Sequence, residues 1–94
     1  MPIVQIEHAV RDFEAWKIEF DNGPANRKEA GVLRYRILRP VDDPHYVMVE
    51  VEFESNEEAR AFIEAMQDVW DSLAYKAIEI PRARIVDALE TREY

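Results

Sequence analysis

Two alternating segments joined by a short turn most constrain the fold of this chain. Residues 32–40 (VLRYRILRP) and 45–53 (HYVMVEVEF) each alternate in polarity, and the intervening VDDP is rich in turn-forming residues. One pairing register brings opposite charges together on one face, as Arg36–Glu50 and Arg34–Glu52. The same register brings apolar pairs together on the other face, as Leu33–Phe53, Tyr35–Val51 and Ile37–Val49. The sequence therefore predicts an antiparallel β-hairpin in a single register.

The N-terminal third of the chain predicts a strand and then a helix. Residues 2–8 alternate with period two, which groups three side chains on one face: Val4, Ile6 and His8. Asp12 is a candidate N-cap for a helix with an apolar stripe of Phe13, Trp16 and Phe20. We expect this helix to break at Asn22-Gly23-Pro24, and a short second segment through Ala30 to end at Gly31.

The C-terminal half predicts a longer helix and a last strand. Ser55-Asn56-Glu57-Glu58 has the pattern of a capping box, in which the serine and the second glutamate cap the first turn. The stripe that follows consists of Ala59, Phe62, Ile63, Met66, Val69, Trp70 and Leu73. Pro81 stops the helical pattern, residues 82–89 favour a strand, and residues 90–94 form a loose tail.

The order strand, helix, strand, strand, helix, strand predicts an α+β fold. Two amphipathic helices would cover one face of a four-stranded antiparallel sheet. The other face mixes charged side chains with apolar ones, namely Ile3, Leu38, Met48 and Val86. A homodimer that stacks sheet against sheet would explain this mixture, and a chain of 94 residues has a thin core of its own.

Composition excludes several classes of function. The length predicts one domain, spanning residues 1–94, and the formal net charge of −8 argues against binding to nucleic acid. There is no cysteine, no apolar stretch of membrane-spanning length and no signal-peptide pattern, so we expect a cytoplasmic protein without membrane contact. The two glycines form no nucleotide-binding loop. His45 near Asp42 and Asp43 lacks the ligand spacing of a zinc site, so no metal is expected.

The sequence resembles the dimeric α/β-barrel superfamily, in its branch of small stand-alone proteins similar to antibiotic-biosynthesis monooxygenases. The resemblance covers nearly the whole chain and is carried by HAVRDFEAWK at residues 8–17, a helix continuing towards Arg27 and Gly31, DDP at 42–44 and SNEEARAF at 55–62. It implies a ferredoxin-like protomer, two of which join their sheets into a barrel with the helices outside.

The same resemblance implies a range of roles. These are cofactor-free oxidation of phenolic polycyclic substrates, ring closure or isomerisation, haem degradation, and members without an assigned activity. The pocket of the monooxygenase-like members lies between helices and sheet and is lined by an asparagine, tryptophans and a basic residue. Its possible counterparts here are Asn22, Trp16, Trp70, Arg27 and His8. The second helix offers no evident histidine for haem iron, so the resemblance gives little support to haem degradation.

Each candidate residue also has a structural interpretation. His8 is a candidate general base, since an imidazole exchanges protons near neutral pH, but it is also a candidate for a structural bond to a backbone carbonyl or to a capping carboxylate such as Asp12. Arg27 could hold an anion or simply lie in solvent. The candidate substrate-binding side chains could line a ligand site or fill the core; they are Trp16, Phe20, Asn22, Tyr35 and Trp70.

Two functional hypotheses follow from the sequence. In the first, a homodimeric enzyme without a cofactor uses His8 to take a proton from an apolar or aromatic substrate, and Arg27 steadies the resulting anion. This step begins both oxygenation and isomerisation. In the second, a non-catalytic dimeric module binds a small apolar molecule or supports another protein, and His8 is structural.

Overall fold

The computed structural model describes residues 1–22, 27–73 and 81–94. Within these ranges the strands are β1 (Pro2–Ala9), β2 (Arg34–Leu38), β3 (Tyr46–Glu52) and β4 (Arg82–Asp87). The helices are α1 (Phe13–Asp21) and α2 (Asn56–Leu73). The predicted βαββαβ order is therefore confirmed, and the chain has a ferredoxin-like fold. Neither of these helices is long and apolar enough to span a bilayer.

The four strands form one antiparallel sheet in the order β2-β3-β1-β4. β2 pairs with β3 in the predicted register, with Arg36 opposite Glu50 and Arg34 opposite Glu52. The Arg36 Nε donates to Glu50 Oε1 at 3.0 Å, and this bond lowers the pKa of the Glu50 carboxyl. β2 is shorter than the predicted strand at both ends: it begins at Arg34 instead of Val32, and it ends at Leu38, before Pro40, which has no N–H to extend the pairing. The predicted Leu33–Phe53 pair falls beyond the end of β2.

The helix-facing side of the sheet carries the core. Alternation along β1 and β3 turns valines and an isoleucine towards the helices, where they are joined by residues from the flanking segments and α2. The buried side chains are Val4, Ile6, Val10, Val47, Val49, Val51, Phe53, Ala59 and Phe62. α2 packs against β1 and β4 with the predicted stripe. Two predicted members of that stripe, Val69 and Leu73, lie outside the described side chains.

Both helices begin at the predicted caps. The Glu14 amide donates to Asp12 Oδ1 at 3.1 Å, and the Glu58 amide donates to Ser55 Oγ at 3.2 Å. The Glu58 carboxylate in turn accepts a hydrogen bond from the Ser55 hydroxyl at 3.1 Å. Unlike α2, α1 has no fully buried residue. α1 is therefore held against the sheet by partly buried aromatic side chains, and not by a stripe of fully buried residues.

A helical turn closes at Gly31, as predicted. The Val32 amide donates to the Arg27 carbonyl at 3.0 Å and the Gly31 amide to the Lys28 carbonyl at 3.2 Å, which is the bonding pattern of a Schellman motif. Gly31 has φ +91°, in the left-handed region that favours glycine. The predicted break at Gly23-Pro24 lies outside the described residues.

The side of the sheet away from the helices, which we call the free face, has no described element over it. By the strand registers it consists of Ile3, Gln5, Glu7, Arg34, Arg36, Leu38, Met48, Glu50, Glu52, Arg82, Arg84 and Val86. Its four arginines and three glutamates nearly balance, although the whole chain carries −8. A hollow of about 230 Å³ lies at the β2 edge, lined by Ile3, Arg34, Tyr35, Arg36, Glu50 and Glu52.

Candidate functional site

Four aromatic rings form a continuous row between α1 and the sheet, which we call the aromatic ladder: Phe13, Trp16, Phe20 and Tyr35. Ring centroids lie 5.7 Å apart for Phe13–Trp16, 5.1 Å for Trp16–Phe20 and 5.3 Å for Phe20–Tyr35. The first three rings lie on one stripe of α1 because they are three and four residues apart. Tyr35 comes from β2, on the helix-facing side of the sheet, opposite Val51.

The ladder is open to solvent along part of its length. None of the three α1 rings is fully buried, and Tyr35 is 42% exposed. Rings that stack gain stability beyond the area they bury, and a flat molecule can add to such a row where faces remain accessible. The ladder therefore packs α1 against the sheet and also exposes ring surface on which a flat molecule can stack.

His8 lies beside the middle of the ladder. Its ring meets Trp16 edge to face with a centroid distance of 6.0 Å, and the residue is half-buried. The His8 Nδ1 lies 2.9 Å from the Ala9 carbonyl oxygen. Because a carbonyl only accepts, Nδ1 carries the proton in this bond, and Nε2 of the neutral ring is left with a lone pair. This bond is the structural role considered for His8, and it leaves Nε2 as the ring nitrogen that could act as a base.

Arg27 lies at the Tyr35 end of the ladder. Its guanidinium carbon is 3.8 Å from the Phe20 ring centroid and 5.6 Å from that of Tyr35. One guanidinium nitrogen also donates to the Phe20 carbonyl, in the last turn of α1. Arg27 is therefore half-buried among rings rather than free in solvent. It is separated from His8 by Trp16 and Phe20, so the two groups flank different parts of the ladder.

Arg39 is a site residue that the sequence reasoning missed. Its guanidinium carbon lies 5.4 Å from the Phe13 ring centroid, at the end of the ladder opposite Arg27. The signal was present in the alternation of residues 35, 37 and 39, which places Arg39 on the helix-facing side just beyond β2.

Two predicted site residues are not joined to the ladder by any described contact. Asn22 is the C-cap of α1 and is exposed, and its backbone amide donates to the Ile18 carbonyl at 3.1 Å. Trp70 packs against the core from α2, without a ring contact to the aromatic ladder among the described residues. Their assignment to a ligand site remains a prediction.

The acidic turn near His45 has a structural explanation. The His45 amide donates to Asp43 Oδ1 at 2.9 Å, and its Nδ1 lies 3.1 Å from the Arg11 carbonyl oxygen. Within residues 1–22, 27–73 and 81–94, no group of three or more acidic or histidine side chains is placed to hold a metal ion.

Two solved structures share this architecture over almost their whole length. Both are named "putative antibiotic biosynthesis monooxygenase". The protein from Deinococcus radiodurans has a TM-score of 0.72 and 14% identity, covering 100% of this chain and 98% of its own. The protein from Nitrosomonas europaea has a TM-score of 0.63 and 19% identity, covering 96% of this chain and 100% of its own. This chain has their fold. The predicted structural resemblance is thereby confirmed.

At these identities the likeness concerns the fold alone. No protein-family profile matches the sequence, and no curated protein matches it either. The function of this chain must therefore be argued from its own residues.

Proposed function

We propose that the chain binds a small flat aromatic or apolar molecule along the aromatic ladder and that His8 takes a proton from it. The observation that carries this proposal is a partly exposed row of rings beside an imidazole whose Nδ1 is the nitrogen bonded to a backbone carbonyl. The activity that fits is a monooxygenase or isomerase that works without a cofactor. The names of the two structural neighbours support the first of these.

The chemistry assigned to the chain is a single proton transfer. The Ala9 carbonyl holds the His8 ring by its Nδ1–H, so Nε2 can accept a proton from an acidic phenol or ring carbon stacked against Trp16. The imidazolium that forms keeps its bond to Ala9. The substrate is left as an anion, and Arg27, whose guanidinium has further N–H donors, lies at the Tyr35 end of the same row to attract that charge.

Oxygen uptake with a panel of phenols and quinols tests this proposal. We expect His8→Asn to lower the turnover rate by about a hundredfold or more, the usual contribution of a general base. The asparagine amide can still donate to the Ala9 carbonyl, so the local structure is kept while the base is lost. His45→Asn is the matched control at the other histidine and should keep the wild-type rate. An unchanged rate in His8→Asn with a confirmed substrate would exclude His8 as the base.

A non-catalytic binding module is the second candidate. It is favoured by the structural bonds that two proposed catalytic groups make, His8 to the Ala9 carbonyl and Arg27 to the Phe20 carbonyl. This alternative predicts saturable binding of aromatic molecules, no turnover, and the same affinity in His8→Asn as in the wild type.

We also propose that two copies associate through the free face in the cytoplasm. Half-buried apolar side chains alternate there with arginines and glutamates in cross-strand ion pairs, as at Arg34–Glu52 with 2.5 Å between nitrogen and oxygen. A nearly neutral face on an acidic chain is the surface where two copies repel each other least.

A further inference from the structure

Two arginines at the ends of the aromatic ladder contrast with the two β2 arginines of the free face. Arg34 and Arg36 both form ion pairs with glutamates across the hairpin. Arg27 and Arg39 instead lie over Phe20 and Phe13, and neither has a carboxylate within ion-pair distance among the described residues. The chain has 20 acidic residues against 12 basic ones, so carboxylates are plentiful elsewhere.

The two guanidinium groups differ in whether they already donate a hydrogen bond to a described residue. Arg27 donates to the Phe20 carbonyl and lies over the Phe20 ring with Tyr35 nearby, which fixes its position. Arg39 is exposed and meets the Phe13 ring, and no hydrogen bond from its guanidinium to a described residue is seen. Its planar fork of N–H donors is therefore free of hydrogen bonds to the described residues, at the Phe13 end of the ladder.

The length of the ladder sets the size of a ligand that could reach Arg39. Phe13 and Phe20 are seven residues apart on α1, or about 10 Å along the helix axis. A molecule of two or three fused rings lying on Trp16 would extend to the Phe13 end. A carboxylate at its edge would meet the guanidinium in the paired geometry that this ion favours.

Resting on the proposed ligand site, we propose that its ligand is a flat aromatic carboxylate whose anionic group is bound by Arg39. The rings stack on the ladder, and Arg39 selects for charge. Arg27 adds positive potential from the other end without a direct bond to the carboxylate. In a chain with net charge −8, two cations that have no carboxylate partner among the described residues offset the general repulsion of an anion at this site.

Calorimetric titration with two matched probes tests this inference: 2-naphthoate, which is an anion, and 2-naphthamide, which is neutral. We expect the wild type to bind 2-naphthoate about fivefold more tightly, which is the upper range for an exposed ion pair. Arg39→Gln should remove this preference and leave 2-naphthamide binding unchanged. Arg60→Gln, on the exposed side of α2, alters net charge equally and should keep the preference.

The outcomes separate this inference from the proposed function. Equal affinities for the two probes in the wild type would overturn the role of charge and leave an aromatic site. A preference kept in Arg39→Gln would overturn the assignment of Arg39. Absence of binding by both probes would overturn the inference together with the proposed ligand site. The comparison of probes in the wild type does not depend on the folding of any variant.

Discussion

At Gly31 the backbone and a neighbouring side chain impose separate constraints. The residue has φ +91°, which is strained for residues with a Cβ, and it closes the turn that carries Arg27. An ideal Cβ built there would lie 2.1 Å from Glu58 Oε2, so the capping carboxylate of α2 occupies the space that a side chain would need. The glycine thus lets the turn of residues 27–32 pack against the start of α2.

We predict that Gly31→Ala destabilises the protein by about 1–2 kcal/mol, the cost of a left-handed backbone with a Cβ. The flexible end of Glu58 can shift, so the backbone is expected to dominate. Gly31→Asn is the matched variant, because asparagine also has a Cβ but tolerates this conformation better. Urea denaturation should place asparagine between glycine and alanine. An alanine variant as stable as the wild type would contradict this account.

Individual residues also show where sequence reasoning reaches its limit. Alternation was sufficient to place His8 on the helix-facing side, because strand periodicity is local. Its bond to the Ala9 carbonyl depends on the ring orientation at the end of β1, which no pattern encodes. The sequence offered solvent or an anion as the environment of Arg27, whereas the Schellman turn directs it onto Phe20.

The pairing of the hairpin could be predicted from the sequence, whereas the contacts of α1 with the sheet could not. The register of β2 and β3 was predictable because charge pairs on one face and apolar pairs on the other agree on one alignment. The α1 stripe was equally visible, but the rings that it meets on β1 and β2 depend on how the helix crosses the sheet. The contacts of this stripe with His8 and Tyr35 therefore emerged only from the structure.

We predict that Asp12→Ala loosens α1 more than the rest of the molecule. α1 has no fully buried residue, so the N-cap bond to the Glu14 amide contributes a large share of its local stability, about 0.5–2 kcal/mol for such a cap. Amide hydrogen exchange should accelerate along α1 and stay unchanged in β1 and β3. Asp12→Asn retains a capping oxygen and should preserve most of the protection. Equal acceleration of exchange throughout the sheet would show that α1 does not open independently of the strands.

For the whole molecule, the free face is the side of the sheet over which no described element lies. We predict a dimer in solution that is dissociated by Met48→Glu, because this change places an extra carboxylate among half-buried side chains at the centre of β3. Val41→Glu adds the same charge at a fully exposed position in the β2–β3 turn and should remain dimeric. Sedimentation velocity distinguishes these states. A monomeric wild type, or a dimer unaffected by Met48→Glu, would exclude the free face as the interface.

The central claim is that the aromatic ladder beside His8 is a ligand site. Its most direct test is an NMR titration of the wild type with 2-naphthoate, following the indole N–H of Trp16, the His8 ring and the amides of the free face. We predict saturable shifts at Trp16 and His8 with one affinity, while the Ile3 and Val86 amides stay unmoved. Shifts confined to the hollow at the β2 edge, or no saturable shift at Trp16, would contradict this account.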